Sequence, residues 1–123
     1  MKSGLLLSLA TGVLAFSAFS AHAECTIHGG GAFPLQNDTV TFTAYVGKDG
    51  TCGASFGTGG LMFTGLDVLQ NPKNGTVYSN GMNSVGYRAK PGFKGKDSFT
   101  VKVCASHRGE EGCSTVTYDL IME

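Results

Sequence analysis

Two stretches near the end of the chain alternate apolar and polar residues with period 2, and each carries a cysteine in the polar phase. In residues 97–104 the apolar phase is Phe99, Val101 and Val103. In residues 113–122 it is Val116, Tyr118, Leu120 and Met122. A period of two is the mark of a strand with one face buried, so Cys104 and Cys113 fall on the solvent-facing side of their strands. Placing them opposite each other in an antiparallel ladder also sets Val101 against Val116, Phe99 against Tyr118, and Thr100 against Thr117. Apolar partners then meet inside and β-branched partners outside, as stable sheets prefer. The register predicts a Cys104–Cys113 cross-strand disulfide.

The rest of the chain reads the same way. Val40, Phe42, Ala44 and Val46 alternate with Thr39, Thr41, Thr43 and Tyr45, giving a strand over 39–46. Strand-like segments follow at 61–64 and 66–70, then a turn at 71–75. Residues 76–79 and 84–89 form a hairpin about Asn80-Gly81, a pair that tolerates the positive φ of a tight turn. Three loops are expected, 47–60, 90–95 and 105–112. Short β-rich runs separated by glycine, of which the chain has 19, argue for an all-β sandwich.

Residues 1–23 carry the marks of a cleaved signal peptide. Lys2 opens it, an uncharged apolar run spans 5–19, and Ala21-His22-Ala23 closes it. The run is shorter than the roughly 20 residues of a membrane span. Glu24 before Cys25 does not fit a lipoprotein site, so export without a membrane anchor is expected, to the periplasm or outside the cell. Residues 24–123 then form a single domain, too short to bury a generous core unaided. All four cysteines lie in it, and their number and spacing point to two disulfides. With Cys104 and Cys113 paired, Cys25–Cys52 follows by elimination. A zinc site would call for close C-x-x-C pairs, and there are none.

Charge excludes one class of partner. Residues 24–123 hold eight Lys and Arg against nine Asp and Glu, and a nucleic-acid binder needs a basic face. No catalytic set, cofactor site or metal site emerges from the motifs. Gly53-Ala54-Ser55-Phe56-Gly57 matches the nucleophile-elbow pattern, which works only at a strand-to-helix turn of a larger α/β sheet. His28 precedes a glycine run and could serve as a metal ligand, but a lone histidine reads better as a polar residue at a strand end. His107, Glu110 and Glu111 could meet a metal at a loop tip, but solvated charges account for them. Asn37-Asp38-Thr39 and Asn74-Gly75-Thr76 match the glycosylation sequon, and the second is accounted for as a turn.

The run from Asn71 to Val103 carries Pro72, Gly75, Thr76, Val77, Tyr87, Pro91, Gly92, Phe93, Gly95, Asp97, Ser98, Phe99 and Val101. This pattern resembles the bacterial immunoglobulin-like modules of the cadherin-like type, which occur in tandem in long surface proteins. Pro91 follows Tyr87 by four residues rather than two, and the four cysteines are unusual for those repeats. The resemblance implies an immunoglobulin-like antiparallel β-sandwich of about seven strands, present as a single copy. It also implies a non-enzymatic module that binds a protein or glycan or contributes to a surface or periplasmic assembly. Calcium at module junctions needs acidic motifs and a neighbouring domain, so Asp67 and Asp97 are expected to be structural. Binding on such scaffolds falls to loops, and the disulfide-held loop with His107, Arg108, Glu110 and Glu111 is the first candidate. The alternatives are a small secreted enzyme using His28, Ser55, His107 or the loop glutamates, and a protease inhibitor presenting loop 105–112. Nothing in the sequence sets the oligomeric state.

The disulfides carry a measurable expectation. Loops of these lengths contribute about 2.5 to 4 kcal/mol each in the chain-entropy picture, a sum comparable to the whole stability of a small domain. Reducing agent should lower the melting temperature steeply, and an unchanged thermal melt would refute that role.

Overall fold

The computed structural model describes residues 25–57, 59–79 and 81–123. The segment read as a signal peptide, 1–23, and Asn80 of the expected hairpin turn lie outside the described residues. Eight strands follow in order: β1 (Thr26–His28), β2 (Thr39–Tyr45), β3 (Thr51–Ser55), β4 (Met62–Gln70), β5 (Gly75–Ser79), β6 (Ser84–Ala89), β7 (Gly95–His107) and β8 (Glu110–Met122). A single 3-10 turn, Pro34–Gln36, precedes β2. The strands form two packed sheets, one of five in the order β1-β2-β8-β7-β4 and one of three in the order β3-β6-β5. This is the expected all-β sandwich. Among β2 to β8, the division of β4, β7 and β8 from β3, β5 and β6 is immunoglobulin-like.

The register of the last hairpin is as the alternation predicts. Cys104 faces Cys113, Val101 faces Val116, Thr100 faces Thr117 and Phe99 faces Tyr118. The Cα atoms of Cys104 and Cys113 are 4.0 Å apart and joined by a disulfide, the close spacing of a pair without mutual backbone hydrogen bonds. Thr100 and Thr117 share a hydroxyl hydrogen bond of 2.9 Å on the outer face.

Three expectations need correction. The sandwich is not wholly antiparallel, because β2 runs parallel to β8, with Thr39 beside Thr115 and Ala44 beside Leu120. Such distant strands share no turn, so nothing local in the sequence reports their relative direction. Within the expected loop 47–60 the chain forms β3, paired from Thr51–Arg88 to Ser55–Ser84 on β6. Only Cys52 and Ala54 turn inward there, and two small residues give little periodic signal. The expected loop 105–112 is mostly ladder: β7 and β8 stay paired to His107–Glu110 and turn through two residues. Arg108 (φ 51°) and Gly109 (φ 85°) both take positive φ, the requirement of a type I′ turn that suits the twist of a hairpin.

The core is an aromatic column set in valines. Phe42 of β2 stacks on Tyr118 of β8 at 5.4 Å, Tyr118 on Phe99 of β7 at 5.0 Å, and Phe99 on Tyr87 of β6 at 6.1 Å. The column starts in one sheet and ends in the other. Val101, Val103 and Val116 are fully buried around it. Phe93 packs against this cluster from the β6–β7 loop.

Two devices tie the sheets together at their flanks. At one, Cys25, next to β1, is bonded to Cys52 of β3, with Cα atoms 5.2 Å apart. At the other stands Asp97 of β7. Its carboxylate accepts the backbone N–H groups of Lys73 and Asn74, which lie in the crossover between the sheets, and that of Ser98, each at 2.9 Å. Tyr87 of the opposite sheet donates its hydroxyl to the same carboxylate at 2.9 Å. Asp97 is therefore structural, in the manner expected.

The titration of this group follows from its partners. Burial raises the Asp97 pKa, but three backbone donors and the Tyr87 hydroxyl lower it further, to a net position below the ordinary 3.8. Burial, then the hydrogen bond to Asp97 and its charge, push the Tyr87 hydroxyl up. Burial alone pushes Tyr118 up to about 12. A depressed carboxyl gives stability that is full above its unfolded pKa and lost as pH falls through the folded one. Raised phenols give stability that is full below their unfolded value and lost as pH rises through the folded one. Stability should hold between about pH 5 and pH 9 and fall on both sides. Asp97→Ala, which strips four donors of their acceptor, should cost about 3 kcal/mol and flatten the acid limb. Denaturant titrations across the pH range check both.

Candidate functional site

The end of the sandwich at the β7–β8 turn is built differently from the rest. The three-stranded sheet stops short of it, and the 3-10 turn covers the gap. Pro34 is buried there, and the backbone of Pro34 and Leu35 lies so close over Gly112 that a Cβ on Gly112 would collide with it. Asp38 and Asn37 hold this segment down. Asp38 accepts the Phe33 N–H at 2.8 Å and the hydroxyl proton of Ser114, and Ser114 is fully buried. Asn37 accepts the Cys113 N–H at 2.9 Å. A buried hydroxyl must find a partner, and Asp38 supplies it while anchoring the cap.

The β3–β4 connection reaches the same end. His107, the last residue of β7, hydrogen-bonds through Nδ1 to the Gly60 carbonyl at 3.0 Å. The two segments expected to be loops, 47–60 and 105–112, thus meet although 47 residues separate the bonded pair. Arg108, Glu110 and Glu111 project from the turn and are exposed. Glu110 pairs with His107 across the ladder, and Glu111 with Ser106.

Between the cap and the β3–β4 connection lies an apolar groove of about 430 Å³, lined by Ala32, Phe33, Pro34, Leu35 and Leu61. Phe33 is 56% exposed and lies in one groove with Leu35 and Leu61, and contiguous apolar surface of this kind, unlike a single exposed residue, marks contact sites. The groove continues along the flank into a second of about 570 Å³, floored by Phe42 and Tyr118 and walled by Ile27 and Ala54. These groove residues escaped the sequence reading. Their one signal was an apolar Phe33-Pro34-Leu35 run too short and too proline-bound to be a strand.

The candidate catalytic residues do not converge. Ser55 ends β3 and its hydroxyl lies 3.4 Å from that of Ser84. His28 sits on β1 in the other sheet, edge-on to Tyr45 at 5.6 Å. His107 is engaged with Gly60. Each of the three is held by a different neighbour. Among the described residues, no three His, Cys, Asp or Glu are grouped to hold a metal ion, and no helix is long and apolar enough to cross a membrane.

No protein-family model matches the chain, and no curated protein matches it. The two disulfides, with no free cysteine among the described residues, point to an oxidising, exported environment.

The His107–Gly60 bond is what joins the turn to the β3–β4 connection. His107→Ala should speed amide hydrogen exchange at 59–61, with global stability changed by about 1 kcal/mol or less. Exchange at 59–61 as slow as in the parent protein would show that the connection is held by something else.

Proposed function

We propose that the chain is an exported, non-enzymatic immunoglobulin-like module, delivered by a cleaved signal segment over residues 1–23 to the periplasm or beyond the cell. Its β7–β8 end binds a protein partner or joins a surface assembly. The observation that carries this reading is the convergence of the turn, the β3–β4 connection and the cap around an open apolar groove in which Phe33 is exposed.

The chemistry of the groove favours a protein over a glycan at this end. Interfaces combine an aromatic or aliphatic centre with a charged, solvated rim. Phe33, Leu35 and Leu61 supply the centre, and Arg108, Glu110 and Glu111 supply charges of both signs nearby. The rigid backing of disulfide, ladder and cap keeps the surface pre-formed, which lowers the ordering cost of binding. The resemblance of residues 71–103 to cadherin-like bacterial modules fits a role in a surface assembly, and the disulfides fit a module working in an oxidising compartment.

Replacing the turn 107–110 and the connection 56–61 by short glycine-serine linkers should abolish capture of the partner from the native envelope by the disulfide-bonded protein. Phe33→Ser alone should weaken capture about tenfold or more, as the loss of a central aromatic anchor does. Capture that survives both changes would move the binding surface elsewhere.

A further inference from the structure

The outer face of the five-stranded sheet, at the end far from the β7–β8 turn, holds polar side chains that the fold does not use. The strand registers place them in rows. His28, Thr43, Asp119 and Ser98 follow one another across β1, β2, β8 and β7, and Tyr45, Ile121 and Lys96 form the next row. Gln70 and Asn71, at the end of β4, complete a groove of about 570 Å³ with Thr43, Lys96 and Asp119. Gln70, Asn71, Lys96 and Asp119 are all exposed. None of their side chains makes a hydrogen bond or ion pair within the described residues.

We infer that this face is a carbohydrate-binding site, for a linear oligosaccharide lying across the strands. A sugar hydroxyl donates and accepts at once, so it is best met by a mixture of pure acceptor, pure donor and amide. Asp119, Lys96 and the pair Gln70 and Asn71 are that mixture. A sugar ring also has one apolar face, which an exposed aromatic covers. Tyr45 is 44% exposed on the same face, and the His28 ring packed edge-on against it at 5.6 Å orients it.

The other ligand classes fit less well. A peptide needs a pocket for an apolar side chain, and the apolar residues lining the groove are Ile121 and the buried Leu120, which form no such pocket. A nucleic acid needs a basic excess, whereas here Lys96 is balanced by Asp119. From β2 to β4 the face spans three interstrand spacings, about 14 Å, room for a short saccharide chain. Asp97 lines the groove but is committed to its four donors, so it fixes the groove wall and takes no part in contacts.

The test is backbone-amide NMR on the disulfide-bonded protein, titrated with cellohexaose, chitohexaose and hexagalacturonic acid as separate probes. At least one should shift amides of the outer-face residues on β2, β7 and β8 at millimolar concentration. Tyr45→Ala and Asp119→Ala should each weaken that binding about tenfold or more. Asp119→Asn covers the case in which the alanine variant folds poorly. Arg88→Ala, exposed on the other sheet, should bind as the parent does. Absence of outer-face shifts with all three saccharides overturns the inference, as does unchanged affinity in the Tyr45 and Asp119 variants. Because the β7–β8 end is untouched in every variant, protein capture there remains a separate measurement.

Discussion

One carboxylate governs how the two sheets meet. Asp97 belongs to β7, yet most of its partners lie elsewhere: two N–H groups in the crossover and a hydroxyl from β6. A half-buried charge is tolerable only when its acceptor capacity is filled, and four donors at 2.9 Å fill it. The geometry also constrains each donor. Lys73 and Asn74 can present successive N–H groups to one carboxylate only if the chain turns sharply there. Pro72 just before them favours such a turn. That turn moves the chain from the edge of one sheet to the edge of the other, and Tyr87 then anchors the aromatic column on the same carboxylate.

The opposite end uses a second carboxylate for a different purpose. Asp38 engages Phe33 and Ser114 and so fixes a cap, whereas Asp97 fixes a crossing. The cap substitutes for the missing length of the three-stranded sheet, and it fits only because Gly112 has no side chain. A sandwich closed on one side by Cys25–Cys52 and on the other by Asp97 has little freedom for its sheets to slide. Its ends and its outer faces are left as the places where side chains can vary without cost to the core.

What the sequence disclosed follows from which interactions are periodic. The β7–β8 ladder was legible to the residue because its apolar phase is long and both strands carry a cysteine in the same phase. The β2 alternation showed a strand but not its neighbour, since parallel pairing to β8 leaves no local mark. Strand β3 was hidden because Cys52 and Ala54 are its only inward residues and glycines surround them. The loop drawn over 105–112 was an error of the same kind: Gly112 is an inward position with no side chain to show it, and Arg108-Gly109 is a less common turn pair than Asn-Gly. The site was half legible. Residues 107–111 were named from charge and the nearby disulfide, while the Phe33 groove depends on a cap that only tertiary packing creates.

The distribution of satisfied and unsatisfied polar groups separates structure from function more sharply than motif matching does. Asp38 and Asp97 are each engaged by backbone and hydroxyl donors, and their removal harms the fold. Asp119 and Lys96 are spared any such duty although they stand on the two longest strands among the described residues. A rigid sheet holds such side chains at fixed spacing, so a ligand meeting them loses its own freedom but little of the protein's. The same reasoning applies to the β7–β8 turn, where the ladder is stapled by Cys104–Cys113 three rungs below His107–Glu110. A short closed loop is among the weaker contributions to chain entropy, and thirteen-residue strands already hold the hairpin together. The staple adds most where it limits fraying of the turn, which keeps His107 within reach of Gly60 and the β3–β4 connection closed against the groove.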